Sequence, residues 1–245
     1  MPSIHPNLND FKITVITGAG FSQPSGIPTF RGSDGLWRNY SPQELATPSA
    51  FSQNPSLVWE WYFWRIKLIQ EAQPNPAHDI LAQLESQGCD IVILTQNVDD
   101  LHERAGSRQV LHLHGEIMKT WCVGCGTKNI TPPGTSTSLP KCPLCDGLLR
   151  PAVVWFGESL DSTILKTSFK RLANTDLLVV AGTSAVVYPV ADFPFHAKRL
   201  NPSIIILEFN MEKTPISPLT NKTILGPVEE TIVSYFQHYG GSLET

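Results

Sequence analysis

Cys122-x-x-Cys125 and Cys142-x-x-Cys145 are two thiol doublets separated by sixteen residues. Each doublet can bend round one metal ion, and four thiolates close a tetrahedral shell. The knuckle residues suit tight turns, with Gly124 and Gly126 in one and Pro143 in the other. The spacing predicts one structural zinc ion (Zn2+), because a closed four-sulfur shell keeps no open position for catalysis. Cys89 stands apart and reads as a buried core thiol. Close doublets argue for a reducing compartment and a metal rather than a disulfide framework.

Three further clusters each follow an apolar run. Gly18-Ala19-Gly20 comes after Ile13–Thr17, where glycines permit a tight turn and a close backbone approach to a phosphate. The last glycine position of G-x-G-x-x-G holds Gln23, so this is not the usual dinucleotide fingerprint. The stretch runs on through Ser22, Gly26, Ile27, Pro28, Phe30 and Arg31. It predicts a loop folded over a large phosphorylated ligand. Gln96-Asn97-Val98-Asp99 follows Ile91–Thr95 and reads either as a helix cap and turn or as a hydrogen-bonding set for a ribose or an amide. Gly182-Thr183-Ser184 follows Leu177–Ala181 and suits a phosphate or ribose. His112 and His114 lie in Val110–Gly115. A strand there would put both on one face, and each is a candidate acid–base group or a structural histidine.

The elements that must hold these clusters are legible as an alternation. Apolar runs at Ile13–Thr17, Ile91–Thr95, Leu177–Ala181 and Ile204–Glu208 are separated by helical stretches at Pro55–Glu71, Ala77–Gln87 and Ser162–Ala173. This predicts an α/β fold, a Rossmann-like doubly wound parallel sheet whose ligand lies beyond the carboxyl ends of the strands. Segments 33–75 and 121–150 break the alternation and predict a smaller zinc-binding lobe made from two insertions, with 130–140 as a mobile loop. The larger lobe is then about 10–32, 76–120 and 151–245, all within one catalytic domain. The chain has 245 residues and a net charge of −4, which gives no electrostatic case for nucleic acid or an anionic membrane. No apolar run approaches the ~20 residues that span a bilayer. The first ten residues do not look like a secretory leader or a transit peptide. A monomer in an intracellular reducing compartment, mitochondrial or cytoplasmic, is expected.

Taken in order over roughly residues 10–228, the chain resembles the sirtuins, NAD-dependent protein-lysine deacylases. The matching motifs are Gly18-Ala-Gly-x-Ser22, Gly26-Ile-Pro-x-Phe30-Arg-Gly32, Gly35-Leu-Trp-Arg38, Thr95-Gln-Asn-Val-Asp99, Leu113-His-Gly115, the four cysteines, Val154-Trp-Phe-Gly-Glu158, Gly182-Thr-Ser184 and Glu208-Phe-Asn210. The resemblance implies that NAD is a consumed co-substrate. It implies that loop 18–31 and Trp37 cover NAD, with residues 25–31 as a mobile lid, and that Gln96, Asn97 and Asp99 hold the nicotinamide ribose and the nicotinamide side. Gly182, Thr183, Ser184, Asn210, Met211, Glu212 and Val228 would hold the adenosine half. His114 would be the catalytic base, assisted by Asn97. Val154, Trp155, Phe156, Gly157 and Glu158 would bind the backbone of an acyl-lysine peptide or protein as an added strand. The expected products are nicotinamide, free lysine and O-acyl-ADP-ribose, with no part for the metal.

Tyr62 and Arg65 stand at i and i+3 in an aromatic stretch that reads as a helix, so they share a face. An Arg fork beside a phenol suits a carboxylate, although an exposed Arg lying over an aromatic helix is the simpler reading from the residues alone. The resemblance turns this round: a Tyr-x-x-Arg pair marks the branch that removes succinyl, malonyl and glutaryl groups. That branch also has Ala in a segment like Leu45-Ala46-Thr-Pro48, where a small residue widens the acyl pocket. Weak deacetylation is expected beside it. Departures from the commoner pattern are Asp100, Ala152 and Gly226–Glu230. Protein mono-ADP-ribosylation and non-catalytic reading of acyl-lysine are the alternatives.

Overall fold

The computed structural model describes residues 8–29, 40–130 and 139–240. Its strands are β1 Lys12–Thr17, β2 Asp90–Thr95, β3 Val110–His112, β4 Gly115–Cys122, β5 Lys128–Ile130, β6 Leu149–Val153, β7 Leu177–Ala181, β8 Ile205–Asn210 and β9 Lys222–Leu225. Its α-helices are α1 Ala19–Ser22, α2 Pro42–Leu45, α3 Pro48–Gln53, α4 Pro55–Glu71, α5 Pro76–Ser86, α6 Leu101–Ala105, α7 Ser162–Leu172, α8 Phe193–Leu200 and α9 Val228–Gly240.

The larger sheet has the order β3-β2-β1-β7-β8-β9, with every described pairing parallel. Each central strand is apolar on both faces because helices cover both. Ile13, Val15, Ile91, Ile93, Val179 and Phe209 pack against Leu81 and Leu84 of α5 and Ile232 and Phe236 of α9. The alternate residues Ile16, Leu94, Leu178, Val180 and Ile206 pack against Leu172 of α7 and Phe193 and Ala197 of α8. This is the doubly wound arrangement. The chain reverses direction across the sheet between β1 and β7, and the crevice at such a switch point receives the ligand.

A second, three-stranded antiparallel sheet, β5-β4-β6, sits with α2, α3 and α4 round a separate core of Leu45, Phe51, Trp59, Tyr62, Ile117, Leu149 and Trp155. Each of these three helices opens with Pro after a polar cap: Ser41 in a reciprocal box with Glu44, Thr47 accepting from Ala50 N, and Asn54 accepting from Leu57 N. Segment 18–29 joins the two cores, since Phe21 is buried in the first and Ile27 in the second. Among the described residues no helix is long and apolar enough to cross a membrane.

The strands and helices follow the alternation read from the sequence, with two differences. The fourth run continues to Asn210, so Asn210 ends β8 rather than following it. His112 and His114 do not share a strand face. β3 ends at His112, and His114 lies in the turn before β4. Gly115 drives that turn: its φ is +80°, and a Cβ there would meet the Ala152 carbonyl oxygen at 2.1 Å. Only glycine fits, which explains the His-Gly pair.

Candidate active site

The loops after β1, β2, β7 and β8 meet at the carboxyl edge of the larger sheet. Gly20 N donates to Gly182 O at 2.8 Å, and Asn210 Nδ2 donates to Thr183 O at 2.7 Å. Gln96 Nε2 donates to Thr183 Oγ1 at 2.9 Å. The contact between the loops after β1 and β7 is too close for side chains. A Cβ on Gly18 would lie 2.6 Å from Thr183 Cβ, one on Gly20 would lie 2.9 Å from Gly182 O, and one on Gly182 would lie 2.3 Å from Phe21 N. This backbone cradle is the feature a pyrophosphate-bearing ligand needs. Ser184, Met211 and Glu212 are exposed at its rim, and Ala19 is half-buried in its floor. Val228 is buried instead, packed in the first core at the start of α9. Phe30, Arg31 and Trp37 lie outside the described residues, whereas Gly26, with φ +89°, and Pro28 lie near the end of the first described stretch, 8–29.

Asn97 is buried and fully oriented. Its backbone N–H donates to Thr95 Oγ1 at 3.0 Å, and Nδ2 donates to Gly18 O and to Ser22 Oγ, each at 3.0 Å. Ser22 passes its own proton to Asp99 Oδ2 at 3.1 Å, and Leu101 N donates to Asp99 Oδ1. Both Nδ2 hydrogens are therefore used, and Oδ1 remains as an acceptor. Burial raises the Asp99 pKa, and the hydrogen bonds from Leu101 and Ser22 oppose that rise.

The two histidines differ in chemistry. His114 Nδ1 is 3.0 Å from the Gln96 carbonyl, which can only accept, so Nδ1 carries the proton and Nε2 keeps its lone pair. Burial lowers its pKa and keeps it neutral. His112 has an acceptor at each nitrogen, the Asn97 carbonyl at 3.2 Å and Glu103 Oε1 at 2.7 Å. Burial alone would lower its pKa, but the hydrogen bond and charge of Glu103 outweigh it and raise the value. Glu103 thus favours the protonated form of His112, whereas His114 has the lone pair that a base requires.

Val154–Glu158 runs beside His114. Val154 N donates to the His114 carbonyl at 2.8 Å, and Phe156 N donates to the Ala46 carbonyl at 2.9 Å. Gly157 turns the chain with φ +86°, and Phe156 is exposed. Glu158 is clamped by Arg150, whose Nη1 and Nη2 lie 2.5 and 2.9 Å from the two carboxylate oxygens. Arg150 was not singled out in the sequence, because the eight-residue separation crosses a strand end and a turn and has no period. Tyr62 and Arg65 are buried on α4 at 2% and 5% exposure, not on the solvent face. The Arg65 guanidinium lies 4.6 Å from the Trp61 ring centroid and 5.5 Å from that of Tyr62.

The four cysteine Sγ atoms all lie within 4.8 Å of one another. Cys122 and Cys145 are 3.4 Å apart and Cys125 and Cys142 are 3.7 Å apart, close to the ~3.8 Å edge of a tetrahedron with Zn–S near 2.3 Å. Amides of Gly124 and Cys125 point at Cys122 Sγ, and that of Leu144 points at Cys142 Sγ, as suits thiolates. The donor set fits zinc, and Cys122 lies at the far end of β4, the strand that begins directly after His114.

The comparisons agree with this geometry. The Sir2 family signature matches residues 18–189. The chain is 48% identical over 215 residues to the NAD-dependent protein deacylase of Aquifex aeolicus, covering 87% of this chain and 89% of that protein. It is 45% identical over 248 aligned positions to the mitochondrial NAD-dependent protein deacylase sirtuin-5 of Danio rerio, covering 90% and 80%. Among solved structures, a complex of a Sir2 homologue with NAD superposes with a TM-score of 0.91 at 42% identity, covering 100% and 95%. A complex of Sir2, a p53 peptide and NAD+ gives 0.83 at 33% identity, covering 96% of each chain. The backbone cradle, the zinc-ready cysteines and these likenesses agree: the chain belongs to the Sir2 family and is an NAD-dependent protein deacylase.

Proposed function

We propose that this deacylase prefers lysines carrying acidic acyl groups (succinyl, malonyl and glutaryl) and removes acetyl more weakly. The observation that carries the reading is the burial of Tyr62 and Arg65 on one face of α4, with Tyr62 joined to the segment that begins at His114's backbone. A buried guanidinium stabilises a carboxylate far more than a solvated one does, because little water screens the pair. Ala46, at 6% exposure, contributes only a methyl group where its carbonyl meets Phe156 N, which leaves width for a longer acyl chain.

The same reading assigns the remaining residues. Gly18, Ala19, Gly20, Ser22, Gly182, Thr183, Ser184 and Asn210 form the NAD crevice, and Gly26, Ile27 and Pro28 belong to its lid. NAD, when bound, supplies an ADP-ribosyl group whose bond to nicotinamide is the one broken. Asn97 Oδ1 accepts a hydrogen bond from a ribose hydroxyl, and Gln96 and Asp99 hold the site round it. His114 Nε2 then takes the proton of a ribose hydroxyl and activates it toward the acyl carbon. Val154–Glu158 pairs with the peptide backbone and holds the acyl oxygen in line for the ribose.

The test is kinetic, on one peptide bearing acetyl-, malonyl- or succinyl-lysine in turn. The expected result is a higher kcat/KM for the acidic groups; equal or better efficiency on acetyl would sink the reading. Arg65→Met is expected to remove the preference, a loss of about 2–3 kcal/mol in transition-state binding of the succinyl substrate.

A further inference from the structure

Trp155 Nε1 donates to Tyr62 Oη at 2.9 Å, a buried contact between residues 93 apart in the chain. We propose that Trp155 is a specificity-positioning residue that acts through Tyr62, committing the phenol to donate its hydroxyl proton to the acyl carboxylate. The proposal rests on the acidic-acyl reading above.

A phenol has one proton and lone pairs that accept, whereas an indole N–H can only donate. The bond between them therefore has one direction, and Trp155 fills an acceptor position on Oη. Among the described residues no acceptor takes the Tyr62 proton. A hydroxyl in this condition has a donor to offer and reduced capacity to accept. It favours a carboxylate, which is acceptor-only, over any group that must donate. Burial raises the Tyr62 pKa, so the proton is retained.

Trp155 is itself fixed from two sides. The Arg150 guanidinium lies 3.4 Å from the centroid of its ring, and the Glu158 carboxylate that clamps Arg150 also accepts from Trp155 N at 2.8 Å. Phe51 packs against the indole with centroids 5.3 Å apart. The indole cannot turn away without losing its contacts with the Arg150 guanidinium and Phe51. The ring's direction is thus set by the peptide-binding segment, and Tyr62 inherits it.

The test is a double-mutant cycle on the ratio of succinyl to acetyl kcat/KM. Trp155→Phe keeps an aromatic ring at the site and removes the donor together with the pyrrole half of the indole, a packing loss that the cycle cancels because it occurs in both backgrounds. It is expected to lower the ratio about tenfold, chiefly through the KM of the succinyl peptide. In a Tyr62→Phe background the same change is expected to add less than twofold, since its route is gone. An unchanged ratio, or an equal effect in both backgrounds, overturns the proposal. Arg65→Met is run alongside. If it abolishes the succinyl preference while Trp155→Phe does not alter it, the positioning role fails and the acidic-acyl reading stands. If the parent has no preference, both fall. A second measurement does not require Trp155→Phe to fold: the Trp155 indole N–H resonance of 15N-labelled protein should move upfield in Tyr62→Phe, and a static resonance overturns the proposed contact.

Discussion

His114 Nδ1 and the Gln96 carbonyl oxygen are 3.0 Å apart, and that single bond decides which imidazole nitrogen is basic. A carbonyl cannot donate, so the proton resides on Nδ1. Burial lowers the histidine's pKa, with the Gln96 bond opposing. A base must be deprotonated to act, so the acid limb of kcat/KM should fall below the ordinary histidine value of ~6.5. A pH–rate profile checks this, and an acid limb above that value contradicts it. His114→Ala should lower kcat by roughly 10²–10⁴ at pH values above that limb, with the difference narrowing below it.

Ser22 stands between Asn97 and Asp99, accepting from one and donating to the other. Ser22→Ala leaves a buried carboxylate short of a donor and frees one Asn97 hydrogen. The expected cost is about 1–3 kcal/mol, read mainly as a raised KM for NAD in steady-state kinetics. Ser22→Thr keeps the hydroxyl and should recover part of that loss.

Zinc removal should act on the smaller lobe first. β4 ends at Cys122, and Leu149 of β6 is buried in the same core as Cys122 and Cys142. Chelation, or Cys142→Ser, should lower Tm and release one equivalent of zinc, measured by calorimetry and by a colorimetric metal assay. Adding zinc back to the chelated wild type should restore both.

His78 and His102 are fully buried beside each other, with ring centroids 4.8 Å apart. Burial drives the His78 pKa down to about 3 and moves His102 the same way. The unfolded chain takes up a proton near its ordinary value of ~6.5, while the folded chain refuses one until far lower pH. Stability is therefore present above pH ~6.5 and is lost as pH falls toward about 3, on the order of several kcal/mol. Denaturant unfolding at pH 7 and pH 4.5 reads the slope, and His78→Gln should flatten it.

The large sheet was legible because parallel strands buried on both faces are unbroken apolar runs, as in Leu177–Ala181. β4 was not, since its burial alternates irregularly and its pairing with β6 shifts register between Glu116 and Thr120. The chemistry-bearing loops were legible through residue type and position after a strand. What separated His112 from His114 was not: it depends on Glu103, on a different element, and on a turn that Gly115 alone permits. Tyr62 and Arg65 gave their spacing to the sequence but not their burial, because the strongly apolar surroundings of α4 come from β6 and Trp155, far along the chain.

Gly20 and Gly182 meet backbone to backbone, and each would be obstructed by a methyl group on the other. Most tight contacts in a core can drift, because enlarging one side is offset by trimming its neighbour. Here the neighbour is already the smallest residue there is. No second-site change at the partner glycine can rescue a substitution at either position, so the two are locked together and substitution must be absorbed elsewhere in the fold.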